Sequence, residues 1–155
     1  MPKTDRSPDP EEALTLDAFL CFAIYSAGHA FNRVYKPLLD ELGVTYPQYL
    51  VMVLLWQRDD QTVSSLGEKL FLESSTLTPL LKRLEALGHL QRSRDPSDER
   101  QVRVRLTKAG RALRAKALRI PACINHASGL KPEDLRRLHT EITTLRKRLE
   151  YRHGQ

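Results

Sequence analysis

Cysteine is scarce in this chain: the two in 155 residues, Cys21 and Cys123, lie far apart. Neither belongs to a Cys-x-x-Cys pair, which excludes a disulfide-bonded scaffold and argues against a zinc site. The histidines also lack metal-ligand spacing, at positions His29, His89, His126, His139 and His153. We therefore expect no metal and no cofactor, and two thiols that stay free in a reducing compartment.

Long apolar runs are also missing. No stretch approaches the roughly 18 consecutive apolar residues of a membrane-spanning helix. The first residues, MPKTDRSPDPEEA, are charged and proline-rich and contain no apolar segment of the signal-peptide type. We expect a cytoplasmic protein with no membrane contact. Residues 1–14 are predicted to form a flexible arm, and residues 15–155 a single domain.

The charges are unequal, with 25 Lys and Arg against 19 Asp and Glu, a formal net charge of +6. Such an excess is compatible with ordinary solubility. It is also the electrostatic signature of a nucleic-acid-binding protein if the charges share one surface. Five arginines fall within the 14 residues 92–105, which favours the second interpretation.

Helical periodicity begins at Thr15, a plausible N-cap, and runs to about Leu42. Pro37 should bend or interrupt this helix, and Gly43 should end it. A second helix, YPQYLVMVLLWQ, begins after Thr45 and is apolar on nearly every side, so it should be the most buried element. The apolar stripe of the first helix comprises Leu16, Phe19, Leu20, Ile24, Ala27, Phe31, Val34 and Leu38.

The middle of the chain has the pattern of a winged helix-turn-helix. Thr62 caps a short helix, and a leucine-striped helix follows that should begin near Ser75 or Thr76. The segments HLQRSR and QVRVRLT alternate like two antiparallel strands around the turn DPSDER. Thr107 then caps a helix that Pro121 should kink or end, and a last helix covers about 132–151.

These elements predict a mainly α fold with a small two-stranded β-wing. Residues 45–106 would form the DNA-binding region. The flanking residues 15–44 and 107–152 would form long amphipathic helices, which commonly build a dimer interface. A symmetric dimer would place two recognition helices on successive major-groove turns of duplex DNA.

The predicted recognition helix turns a polar face away from its leucine stripe. Hydroxyls near its N-terminus and cations further along suit a helix that enters a major groove end-first. In the hairpin, Arg100 lies beside Asp98, which could brace it for a narrow minor groove; the alternative is a solvated hairpin whose charges prevent aggregation. The candidate DNA-binding residues are Ser75, Thr76, Thr78, Pro79, Lys82, Arg83, Arg94, Asp98 and Arg100.

Cys21 lies beside the apolar stripe of its helix rather than within it, on the face of Tyr25 and Tyr35. The usual interpretation of a helical cysteine is an apolar core residue, and its position at the edge of the stripe weakens that interpretation. No cation lies one turn away, and Asp17 would oppose ionisation. Any activation of the thiol must therefore come from groups elsewhere in the fold.

The chain resembles the MarR family of winged-helix regulators between about Leu16 and Pro121. The resemblance is carried by LCFAIYSA, YKPLLDELGVTYPQYLVMVLLW, SSTLTPLLKRLEALG and DERQVRVRLTKAGRAL. The wing motif is common to the family, whereas CFAIY with YKPLL and TYPQYL is similar to the OhrR-type branch, which senses organic hydroperoxides.

This resemblance implies a homodimeric repressor that binds a pseudo-palindromic operator and leaves it when Cys21 is oxidised. Tyr35 and Tyr46 would hydrogen-bond the Cys21 thiol, and Arg100 would be the minor-groove arginine. Tyr35 lies 14 residues after Cys21, or roughly 21 Å along one helix. The pairing therefore requires the Tyr35 of a partner subunit.

Cys123 is the candidate for a resolving thiol, which some members of the branch supply from the other subunit. The family position of that cysteine is about one helical turn further on, near His126. Cys123 could instead be an inert helix-end cysteine, in which case a small cellular thiol would cap Cys21.

Three other functions remain open at this stage. A MarR-type repressor could be released by a small phenolic ligand in the dimer cleft, with Cys21 incidental. A small thiol peroxidase would turn over peroxide without binding DNA and would leave the arginine-rich hairpin unexplained. A structural nucleic-acid binder would be insensitive to oxidant.

Overall fold

A computed structural model describes residues 9–154; the predicted arm's residues 1–8 lie outside the described residues. The chain enters through a one-turn helix, α1 (Pro10–Ala13), whose first turn is capped by the Asp9 carboxylate accepting from the Glu11 N–H at 3.1 Å. No helix among residues 9–154 is long and apolar enough to cross a membrane.

The predicted helix from Thr15 to Leu42 is divided at Phe19. Residues Leu16–Ala18 form a 3₁₀ turn, Phe19 is extended, and α2 covers Leu20–Asp40. The prediction was wrong on this start because a 3₁₀ turn keeps the apolar spacing close to that of an α-helix. Pro37 does not interrupt α2, and Gly43 ends the segment with a positive φ of 69°.

The second predicted helix is confirmed as α3 (Tyr46–Gln57). Thr45 and Gln48 form a reciprocal capping box, with the Thr45 N–H donating to Gln48 Oε1 at 2.9 Å. Five of its residues are buried, more than in any other described helix: Gln48, Tyr49, Val51, Met52 and Leu55.

The helix-turn-helix consists of α4 (Val63–Leu70) and α5 (Ser74–Ala86). The Thr62 cap is confirmed, because its hydroxyl accepts from the Ser65 N–H at 3.1 Å. Helix α5 begins one residue earlier than predicted, so Pro79 lies in its second turn. Because proline has no N–H, the carbonyl of Ser75, four residues earlier, lacks its helical hydrogen-bond donor. Ser75 is exposed, so water can solvate this carbonyl.

The β-structure has three strands where the sequence predicted two. The hairpin is confirmed as β2 (Leu90–Arg94) and β3 (Val102–Leu106). A short strand, β1 (Gln61–Thr62), pairs antiparallel with β3, giving the order β1-β3-β2. A strand of two residues is too short to show an alternating pattern of apolar and polar residues, so the sequence predicted a two-stranded sheet without β1. We refer to Leu90–Leu106 as the wing.

Three helices complete the chain. Thr107 caps α6 (Lys108–Ala117) by accepting from the Gly110 N–H at 3.0 Å. Pro121 was expected to end this helix, but it lies in the first turn of a further helix, α7 (Ile120–Ser128), where its missing N–H has no intrahelical partner to lose. The last helix, α8, covers Pro132–His153.

The core lies between α3, the helix-turn-helix and the wing. The predicted leucine stripe of α5 points into it, with Leu77, Leu81 and Leu84 fully buried. By contrast, none of the described residues of α8 is buried, and in α2 only Leu39 is. The two long helices therefore leave their apolar stripes uncovered in the single chain.

Candidate nucleic-acid interface and thiol site

Helix α5 presents the polar face that the sequence predicts. Ser75, Thr76, Pro79, Lys82 and Arg83 are exposed, and Thr78 is half-buried. The buried leucines hold the opposite face against the core, so the hydroxyl groups lie towards the N-terminus and the cations in the second half. The structure thus brings all six predicted residues of this helix to one outer face.

The five hairpin arginines are not equivalent. Arg92 pairs with Glu85 at 2.8 Å, and Arg105 pairs with Asp60 at 3.1 Å. Arg103 pairs with both Asp60 and Asp95, at 2.7 and 3.0 Å. Three of the five charges therefore hold the wing to the domain.

Arg94 and Arg100 are the exposed hairpin arginines for which no ion pair with the body of the domain is seen among the described residues. The Arg100 side chain is 93% exposed, and its Nε and its backbone N–H both contact Asp98 Oδ1, at 3.3 and 3.1 Å. Arg94 Nη1 donates to the Glu99 carbonyl at 3.4 Å. The predicted Arg100–Asp98 contact is thus present at the tip of the wing. Arg94 precedes the turn in the sequence, and Arg100 follows it.

Cys21 is exposed and occupies the second residue of α2. In the predicted helix from Thr15, Cys21 would lie near the second turn, but the break at Phe19 moves the thiol into the first turn of α2. The backbone N–H groups of a first turn lack intrahelical acceptors, and this end of the helix dipole favours an anion. The Cys21 thiol therefore lies in the turn of α2 whose backbone N–H groups have no intrahelical acceptor.

Tyr35 and Tyr46 form one cluster with Tyr49. The ring centroids of Tyr35 lie 4.8 Å from Tyr46 and 6.0 Å from Tyr49. Burial first, and then the neighbouring Tyr46 and Tyr49, raise the pKa of Tyr35 from 10.0 to about 12. Burial likewise raises the pKa of Tyr46. Both phenols keep their protons at neutral pH and can donate to a thiolate.

Cys123 lies in α7, an element that the sequence interpretation did not contain. It is half-buried, and the Arg119 guanidinium that precedes this helix contacts both Cys123 and Glu41. Glu41 first, and then Cys123, hold the pKa of Arg119 above its ordinary value. Sequence reasoning missed Arg119. Its position four residues before Cys123 was the available signal, because residues at this spacing are neighbours on a helix.

The comparisons with known proteins agree with this geometry. Residues 33–116 match the family model of the transcriptional regulator SarA/Rot. The HTH-type transcriptional regulator TtmR of Methylorubrum extorquens is 46% identical over 154 residues, covering 99% of this chain and 77% of TtmR. The organic hydroperoxide resistance transcriptional regulator of Bacillus subtilis is 45% identical over 132 residues, covering 85% and 90%.

Among solved structures, AbfR of Staphylococcus epidermidis is similar in more than one state. Its reduced form bound to DNA is 36% identical, with a TM-score of 0.75, and the match covers 90% of this chain and 96% of AbfR. Its disulfide form is matched with a TM-score of 0.58, over 87% of this chain and 95% of AbfR.

A mostly helical fold with a three-stranded wing and an exposed polar recognition helix defines a winged-helix transcriptional regulator that binds DNA. The chain belongs to the MarR family and, within it, to the OhrR-type regulators. Its relatives are named as regulators, which implies a non-enzymatic role.

Proposed function

We propose that this protein is a homodimeric repressor that binds a pseudo-palindromic operator and releases it when an organic hydroperoxide oxidises Cys21. One observation carries the proposal. Cys21 lies exposed in the first turn of α2, while the half-buried Tyr35 lies towards the other end of the same helix, against Tyr46 of α3.

The partner in the proposed dimer is a second copy of the chain. The apolar stripes of α2 and α8 flank an open apolar groove of about 650 Å³, lined by Ile24, Leu145 and Leu149 among others. Leu20, at 63% exposed, and Leu149, at 56%, are typical of groups that a partner covers. Burying both stripes in a symmetric interface would give the dimer its apolar core.

The dimer would complete the thiol site. Within one α2, Cys21 and Tyr35 are separated by 14 residues, or about 21 Å. An antiparallel approach of two α2 helices would place the Cys21 of one subunit near Tyr35 and Tyr46 of the other. The phenols would donate hydrogen bonds to the thiolate.

The proposed chemistry is a two-electron oxidation. The Cys21 thiolate attacks one peroxide oxygen, an S–O bond forms, and the O–O bond breaks. Sulfur is oxidised to a sulfenic acid, and the hydroperoxide leaves as an alkoxide that takes up a proton to become the alcohol. Cys123, or a small thiol, would then condense with the sulfenic acid to give a disulfide and water.

A binding assay tests this proposal. A duplex is selected from a random-sequence library by the reduced protein, and its affinity is measured before and after treatment with cumene hydroperoxide. We expect wild type to lose binding on oxidation and Cys21→Ser to bind with or without oxidant. Cys123→Ser is the matched control, because it removes the other thiol and should still be released.

The other outcomes are equally informative. Release of Cys21→Ser by cumene hydroperoxide would overturn the proposal and point to a sensor elsewhere. Release by a phenol such as salicylate, in wild type and Cys21→Ser alike, would favour a ligand-controlled repressor. Sustained peroxide turnover without selection of any duplex would favour a thiol peroxidase.

A further inference from the structure

We propose that Arg103 is a positioning residue for operator recognition: it fixes the wing to the turn after α3 and thereby aims Arg100. The inference requires DNA binding by the winged helix and does not depend on peroxide sensing. Two arginines of the hairpin differ in their exposure to solvent. The Arg100 side chain is 93% exposed, whereas that of Arg103 is 26% exposed.

All three nitrogens of the Arg103 guanidinium have protein partners. Nε donates to Asp60 Oδ1 at 2.7 Å, and Nη2 donates to the Asp60 carbonyl at 2.8 Å. Nη1 donates to Asp95 Oδ2 at 3.0 Å. A planar guanidinium held on three sides has one orientation, and few of its donors are left for a phosphate.

The first side of this clamp is the turn between α3 and β1. Asp60 has a left-handed backbone, with φ of 58°, which directs both its carbonyl and its carboxylate to Arg103. The neighbouring Asp59 accepts from the Leu106 N–H at 2.8 Å. The Gln61 side chain fastens the turn to α3, donating to the carbonyls of Leu54 and Arg58 at 3.0 and 2.6 Å.

The second side of the clamp is the wing tip. The buried Asp95 carboxylate accepts from the N–H and the hydroxyl of Ser97, at 2.8 and 2.6 Å. The Asp95 N–H donates to the Gln101 carbonyl at 2.9 Å, and the Gln101 N–H donates to the Asp98 carbonyl at 2.9 Å. Asp98 is the residue that contacts Arg100. A continuous series of contacts thus joins the end of α3 to the exposed arginine.

Substitutions that remove one negative charge distinguish a role in positioning the wing from a purely electrostatic effect on DNA affinity. Asp95→Asn removes a negative charge, which by charge alone should strengthen binding to DNA. If Asp95 and Arg103 position the wing, Asp95→Asn should weaken binding instead. Asp60→Asn makes the same distinction, and asparagine tolerates the left-handed backbone at this position.

The experiment measures the affinity of reduced protein for the selected duplex at several KCl concentrations. We expect Arg103→Met and Asp95→Asn to lower affinity about tenfold at the lowest KCl concentration, because the wing no longer holds Arg100 against the DNA. The salt dependence should become shallower in both variants. Arg100→Met, the matched control, should reduce the slope by about 0.9, the value of one lost phosphate contact.

A hydroxyl-radical footprint provides the second readout. Arg103→Met and Asp95→Asn should lose protection where the wing lies and keep it where α5 lies. Unchanged or tighter binding by Asp95→Asn would overturn the proposal. So would a wild-type salt slope and wild-type wing protection in Asp95→Asn, because the wing would then reach the DNA without the clamp. If Arg103→Met does not fold, Asp95→Asn and Asp60→Asn decide the question.

Discussion

The rings of Tyr35 and Tyr46 pack at an interplanar angle of 48° with their centroids 4.8 Å apart, which joins the second half of α2 to the first turn of α3. Tyr49, one turn further along α3, extends the cluster and lies 6.4 Å from Trp56. Of the two candidate phenols, Tyr35 lies on α2 and Tyr46 on α3, and the turn that follows α3 carries the clamp on the wing. A movement of α3 would therefore reach both the proposed thiol site and the wing.

Replacing the Tyr35 hydroxyl should slow sensing without weakening DNA binding. Tyr35→Phe keeps the packed ring and removes the proton donor that we propose for the Cys21 thiolate. We expect the rate of Cys21 oxidation by cumene hydroperoxide to fall about tenfold, the effect of one charge-assisted hydrogen bond. Stopped-flow oxidation measures the rate, and an unchanged rate would remove Tyr35 from the site.

The same substitution should alter stability at high pH. Because the pKa of Tyr35 is raised from 10.0 to about 12, the folded chain keeps a proton that the unfolded chain loses. The contribution to the free energy of unfolding is full below pH 10 and is lost as the pH rises towards 12. Urea unfolding across this range should show a shallower decline for Tyr35→Phe; equal slopes would contradict the assignment.

Cys123 should form the disulfide that follows oxidation. Its neighbour Arg119 contacts the thiol, and we propose that this contact orients the sulfur for attack on the sulfenic acid. On non-reducing gels, oxidised wild type should migrate as a covalent dimer and Cys123→Ser as a monomer. Arg119→Met should slow the crosslink about threefold or more. If Arg119→Met crosslinks at the wild-type rate, Arg119 has no role in disulfide formation and serves only in its ion pair with Glu41.

Gly110 should tolerate no side chain. A Cβ atom there would lie 1.9 Å from the His89 carbonyl oxygen, and the Gly110 carbonyl already accepts from Trp56 Nε1 at 2.9 Å. We expect Gly110→Ala to lower the free energy of unfolding by about 3 kcal/mol or more. Ala109→Gly, at the exposed neighbouring position, should cost about 1 kcal/mol. Similar costs for both variants would contradict the close approach.

Periodicity and caps predicted most of the architecture. Thr45, Thr62 and Thr107 each cap a helix as expected, because a hydroxyl followed by a periodic segment is a local signal. The short α7 was missed because Pro121 was interpreted as a stop, and proline is equally compatible with a helix start. The uncovered stripe of α2 was visible in the sequence, but its exposure depends on tertiary packing.

The candidate site was predicted less completely. Arg100 and Asp98 are two residues apart and make a local contact, so the sequence could indicate them. Arg103 and Asp60 are 43 positions apart, and only the pairing of β1 with β3 brings them together. Charge counting therefore could not distinguish a DNA-facing arginine from one that holds the wing. Arg119 was missed with α7.

The central claim, that each sensing site is built from two subunits, is tested most directly with a heterodimer. Cys21→Ser and Tyr35→Phe chains are co-expressed with different tags and purified as the mixed dimer. If the site is shared, one of its two sites has both wild-type residues, and its Cys21 should be oxidised at the wild-type rate. A dimer of wild type with Cys21→Ser/Tyr35→Phe should then be slow. The opposite pattern, slow oxidation in the first heterodimer and fast oxidation in the second, would contradict a site shared between subunits.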